Sequence, residues 1–293
     1  MPTARKGNMY FFIITLLMII GSVVVGFLPI ETKYNTAVIE FGFLLVPALI
    51  IAKLSGITIK ETFEIKWLKF KDVCIILGIS VLSLLLAGIM SNISMQFFNN
   101  FLADAMNVWG NMSLLQWIFI LAITPAICEE AVMRGVVLKQ YKNVSCTKAA
   151  IMNGLLFGMF HMNFNQFFYA FVLGVVMAYL VIITGTILSS VLMHFTINGI
   201  SAVSNWYIRR TSPVIDVAEN SSLNITNIII LAGVGILIAY LLKHIISSWA
   251  KTKNIDILTR TNTDEKVFDI WVVLSIGLFV IFTIILFMQG GKI

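Results

Sequence analysis

The chain has 293 residues, 59% of them hydrophobic and 12% charged, with a formal charge of +6 and a mean hydropathy of +0.96. That composition excludes an ordinary soluble domain, in which about 45–50% of residues are apolar, and makes lipid the main solvent of the fold. The basic residues sit beside the ends of apolar runs without forming a basic aromatic patch, which argues against nucleic acid as a partner. The three scattered cysteines, Cys74, Cys128 and Cys146, give no disulfide framework.

A membrane-crossing helix needs about 20 consecutive apolar residues. Nine runs approach that length, at residues 9–30, 36–54, 73–95, 114–139, 147–163, 166–184, 186–206, 225–246 and 267–288. The predicted fold is all-α, a polytopic transmembrane helical bundle of eight to nine spans in which four consecutive helices form a catalytic core. The first run follows Arg5 and Lys6, but no small-x-small cleavage pattern precedes Glu31, so it is expected to remain as a helix. The segment Ser55–Asp72 mixes Ile57, Ile59, Phe63, Ile65, Trp67 and Phe70 with lysines and glutamates, the pattern of an amphipathic segment on a membrane surface. The amide-rich joint Gln96–Met112 is compatible with a short outer helix.

Loop charge predicts the orientation, because cytoplasmic joints retain excess Lys and Arg. With the N-terminus inside, sixteen of the twenty basic residues fall on the inner side, and only Lys33, Arg209, Arg210 and Lys292 fall outside. Nine spans then put the C-terminus outside, and eight would put it inside. The abundance of Ile, Lys and Asn points to a bacterial cell membrane.

Ionisable groups inside a span cost about 2.5–3.5 kcal/mol each on insertion scales, so each needs a partner, a cavity or a function. Glu40 lies one turn inside the second run and Lys53 at its other end, where snorkelling to the interface is the simple explanation; His244 beside Lys243 reads as interfacial. Glu129, Glu130, Arg134, His161 and His194 remain. Glu130 and Arg134 are four residues apart and share a helix face, whereas Glu129 points about 100° away. Pro125 removes a backbone donor one turn earlier and should distort the helix beside the carboxylates. In the fifth run Gly154, Gly158 and His161 share a face that allows close helix approach. In the seventh run Ser190, His194, Asn198, Ser201 and Asn205 draw a polar stripe that must point into the bundle. Counted at 1.5 Å per residue from the inner ends, Glu129, His161 and His194 lie roughly 15, 20 and 12 Å deep, near the middle of a core about 30 Å thick. Taken singly, each group has a structural reading: an ion pair plus an extra acid, a packing histidine, interhelical hydrogen bonds.

Together, EEAVMR at 129–134, FGMFH at 157–161 and HFTIN at 194–198 match EExxxR, FxxxH and HxxxN in order. In these motifs the chain resembles the CPBP (Abi-domain) intramembrane proteases, which include the type II CAAX prenyl endopeptidases. The resemblance covers roughly residues 113–205. It divides the chain into N-terminal helices with the interfacial segment (1–112), a catalytic core (113–205) and C-terminal helices (206–293). Met133 departs from the aromatic residue often found before the arginine, a change of packing and not of chemistry.

The resemblance implies an endopeptidase acting on membrane-associated, hydrophobic or prenylated peptides. Glu129 would be the general base, His161 would help activate water, His194 and Asn198 would stabilise the oxyanion, and Glu130 and Arg134 would orient Glu129. Glu129, His161 and His194 would also make a three-ligand zinc set, though no HExxH helix is present, and zinc is left open. The cavity is expected to open toward the cytoplasmic half and the lipid. No CAAX-like sequence ends the chain, so self-processing there is not expected. Membrane lipid and a lipid-modified peptide are the expected partners, with oligomeric state left open. A non-proteolytic scaffold or immunity protein and a proton-coupled transporter are the alternative functions.

Overall fold

The computed structural model describes residues 3–55, 58–100, 106, 112–211, 223–257 and 265–290. Its elements are α1 (Thr3–Gly26), α2 (Thr32–Leu54), α3 (Ile59–Phe63), α4 (Phe70–Ser94), α5 (Leu114–Tyr141), α6 (Cys146–Phe160), α7 (Phe164–Thr184), α8 (Leu188–Thr211), α9 (Ile225–Thr252) and α10 (Ile270–Gly290), with no strand among the described residues. The chain is an all-helical, multi-pass membrane bundle. Among the described residues, seven helices are long and apolar enough to cross a membrane. All nine predicted runs are helical, and the two that fall short do so for different reasons. At 15 residues α6 is only about 22 Å long. The 24-residue α8 has the length, but its polar stripe lowers its hydropathy. Most of the joint predicted as a short outer helix, between Gln96 and Met112, lies outside the described residues.

Burial separates the central helix from the peripheral ones. Within its apolar stretch α5 is 61% buried, against 17% for α9 and 22% for α10. With lipid as solvent the outward faces stay apolar, as Ile229, Ile236 and Leu237 do on α9, and polarity gathers on the helices facing protein.

Two helices are interrupted ahead of prolines. In α2 a π-helical turn, Glu40–Leu45, directly precedes Val46–Pro47, and in α5 another, Phe119–Ile123, precedes Thr124–Pro125. Proline lacks an N–H and its ring crowds the carbonyl one turn back, and a widened turn accommodates both defects. The distortion expected at Pro125 thus takes the form of a π turn. A second π turn, Ala131–Val137, follows the paired glutamates. The widened part of α2 packs on the Thr124–Glu130 segment of α5.

The α6–α7 hairpin is the tightest contact. A Cβ on Gly154 would lie 2.4 Å from Val175 Cγ2 and 2.7 Å from the Phe171 carbonyl oxygen, and one on Gly174 would lie 2.9 Å from Gly154 Cα. The glycines therefore let two backbones meet, as the small-residue spacing predicts. The surface segment behaves as its amphipathic pattern suggests. Helix α3 starts at a capping box between Thr58 and Glu61, while Ile65, Trp67 and Phe70 remain exposed where lipid would cover them. Lys139 ties this segment to the end of α5 through Glu64 at 2.9 Å.

Candidate active site

The buried polar cluster begins on α5. Glu130 and Arg134, one turn apart, pair at 2.8 Å with both side chains fully buried. Arg134 Nη2 donates to the Gly174 carbonyl at 3.0 Å, and the guanidinium stacks 4.6 Å from the Phe157 ring centroid. A buried guanidinium thus has a carboxylate, a backbone acceptor and an aromatic face. Gly174 serves twice, because the missing side chain that admits α6 also leaves its carbonyl within reach of Arg134.

Glu130 also holds His194, whose Nδ1 lies 2.9 Å from the same Oε1 that receives Arg134. The sequence reading has Glu130 and Arg134 orient Glu129; instead their contacts run to His194, Gly174 and Phe157. The reason is helical geometry, since adjacent residues diverge by about 100° and Glu130 faces α8 while Glu129 faces the cavity.

His161 closes the C-terminal end of α6. The helix stops because Met162 takes φ 55° and Asn163 begins α7, its side chain accepting from the Gln166 N–H at 2.8 Å and donating to the His161 carbonyl at 2.8 Å. His161 therefore stands at a tight hairpin turn, two residues before the end expected for the run 147–163. Its Nδ1 lies 2.9 Å from the Phe157 carbonyl oxygen. A carbonyl can only accept, so Nδ1 carries the proton, and the same holds for His194 against the Glu130 carboxylate. In both imidazoles Nε2 is the ring nitrogen left to the cavity. The Phe157 ring lies edge-on to both, with centroids 5.0 and 5.9 Å away.

Glu129, His161, His194 and Asn198 line one cavity of about 400 Å³. Most of its wall is apolar, with Leu84, Ile120, Leu121, Leu173, Met177 and Ile197 among the contributors. The polar stripe of α8 faces inward as expected, with Ser190 buried and Asn198 and Ser201 on the cavity wall. The direction of the cavity departs from expectation. Its remaining polar lining, Thr36, Ser91, Gln166 and Ser201, belongs to the halves of the spans away from the amphipathic segment and the lysine-rich joints. The lining thus lies away from the lysine-rich half toward which the opening was expected.

One lining residue was missed by the sequence reading. Glu40 is not a snorkelling acid but a buried one, 7% exposed, whose carboxyl lies against that of Glu129 at the cavity wall. The signal available was its own cost, an acid inside an apolar run with no basic residue one turn away.

Residues 111–200 match the family model described as type II CAAX prenyl endopeptidase Rce1-like. This segment is Rce1-like. It holds all three motifs and runs from just before α5 into α8, leaving α2 and Glu40 outside. At the level of the family the match supports an intramembrane CAAX-type protease. No curated protein and no solved structure matches the chain. The donor types in the Rce1-like segment, two imidazole Nε2 atoms and a carboxylate, are those zinc favours. Their grouping does not fit, since among the described residues no three His, Cys, Asp or Glu side chains are gathered as a metal-ligand set.

Proposed function

We propose that the protein is an intramembrane endopeptidase that hydrolyses a peptide bond of a hydrophobic or lipid-modified peptide with water activated by Glu129. The observation that carries this reading is that Glu129, His161, His194 and Asn198 line a single, largely apolar cavity with both imidazole Nδ1 atoms already occupied. Water between Glu129 and the His161 Nε2 lone pair would attack the scissile carbonyl carbon and lose a proton to Glu129. The carbonyl oxygen becomes an oxyanion. Asn198 can donate to it through its amide N–H, with His194 one turn away on the same helix as its neighbour at the oxyanion. Collapse of the tetrahedral intermediate breaks the C–N bond, and the proton held by Glu129 passes to the departing amine. Glu130 and Arg134 act as positioning residues through His194 and Phe157. No step is routed through a metal.

The apolar wall suits an aliphatic or isoprenoid chain beside an extended peptide. The charge distribution supports an inside N-terminus, in which case the cavity lies in the outer half of the bilayer.

The test is cleavage of peptides by purified protein in liposomes, comparing farnesylated CAAX-ended peptides with unmodified hydrophobic ones, for wild type, Glu129→Ala and His194→Ala. The expected result is cleavage by wild type that falls by about 100-fold or more in both variants. Equal turnover in all three proteins overturns the reading. A chelator that abolishes cleavage, restored by zinc, overturns the metal-free step, and a proton flux without cleavage would favour a transporter.

A further inference from the structure

Glu40 and Glu129 come from helices far apart in sequence, yet their carboxyls meet at the cavity wall. Both are buried, and no protein N–H or O–H among the described residues reaches Oε2 of either. Glu130 has Arg134 and His194, so the cation of this region is already engaged. Two carboxyl groups hydrogen-bond only when one carries a proton, and two adjacent carboxylates in a low-dielectric site would repel strongly.

Resting on the reading of Glu129 as the base, we propose that Glu40 is a positioning residue for hydrolysis, whose carboxyl shares a single proton with that of Glu129 and fixes the side chain that activates water. The backbone is built for the encounter. Glu40 opens the π turn ahead of Pro47, and Glu129 lies one turn past Pro125, which follows its own π turn; these segments of α2 and α5 pack on each other. Widened turns shift the register of the side chains beyond them, and such turns recur at functional sites. Without this hydrogen bond the Glu129 carboxylate would have to find a partner elsewhere, and a base displaced by about 1 Å loses about 100-fold in rate. The proposal extends the site beyond residues 111–200 to the second helix of the chain.

Glu40→Gln keeps a donor facing Glu129, and Glu40→Ala removes it. In liposomes with a cleaved peptide, Glu40→Gln is expected to stay within about 3-fold of wild-type kcat, and Glu40→Ala to fall about 100-fold with KM little changed. Full activity of Glu40→Ala overturns the proposal, and so does a Glu40→Gln enzyme as slow as Glu40→Ala. A second readout needs no turnover. In infrared spectra of protein labelled with ¹³C-glutamate, wild type is expected to show a carboxylic acid C=O stretch that Glu40→Gln removes. Its absence in wild type, or its persistence in Glu40→Gln, overturns the proposal. Should Glu129→Ala cleave as fast as wild type, the hydrolytic reading fails, and the infrared band still decides whether Glu40 and Glu129 share a proton.

Discussion

His194 Nδ1 and Arg134 Nη1 meet the same oxygen of Glu130, at 2.9 and 2.8 Å, so one buried carboxylate locks α8 to α5. Because both histidines lose Nδ1 to fixed acceptors, what they offer the cavity is Nε2 alone. Glu130 is accordingly the keystone of the imidazole geometry, and Glu129 is free to face substrate.

Replacing Glu130 by Gln should therefore be severe in two ways. It leaves the Arg134 charge buried without its counter-ion, a loss of about 3–5 kcal/mol, and it removes the carboxylate that fixes His194 Nδ1. Thermal unfolding in detergent micelles should show a lower midpoint, and peptide cleavage should disappear; an unchanged midpoint would contradict the buried pair.

Phe157→Leu tests the aromatic platform. The substitution keeps apolar volume but removes the face beneath Arg134 and the edges against both imidazoles, with the cation–π part alone worth about 0.5–2 kcal/mol. The expected outcome is modest destabilisation with a larger fall in kcat than in thermal midpoint, measured on the same preparation. Equal, proportionate effects would make Phe157 simple core packing.

Gly154→Ala should push α6 away from α7, because the new methyl would lie 2.7 Å from a backbone oxygen that cannot swing aside. Overpacking of this kind costs about 1–3 kcal/mol, and it would displace His161 at the hairpin's end. Gly78→Ala is the control, as nothing lies within 4 Å of its added Cβ. Midpoints and cleavage rates should separate the two; a silent Gly154→Ala would remove the case for close backbone contact.

Glu265 governs the first helix. Desolvation pushes its pKa up, but hydrogen bonds from Asn143, the Ala4 N–H and Thr3 outweigh that and hold the carboxyl below the ordinary glutamate value of 4.5. A depressed folded pKa means the stabilisation is fully present above the unfolded value and is lost as pH falls through the folded one. Hydrogen exchange of the first turn of α1 should accordingly rise as pH drops below the glutamate range, after correction for intrinsic exchange. Glu265→Gln should show faster exchange already at neutral pH and little dependence on acid.

Much of this molecule was legible without coordinates. Lipid as solvent imposes long apolar runs, and helical periodicity put Glu130 on the same face as Arg134, turned the α8 stripe inward and set Gly154 and Gly158 on the face where α7 packs. These are local consequences of 3.6 residues per turn, so a single strand of text carries them. Other relationships needed the packed bundle. That His194 answers to Glu130 and not to Glu129, that the cavity extends away from the lysine-rich side and that Glu40 meets Glu129 all depend on the relative rotation of helices separated by many residues. That rotation is decided by which side chains must interlock, and by widened turns at prolines that reset the facing of everything beyond them.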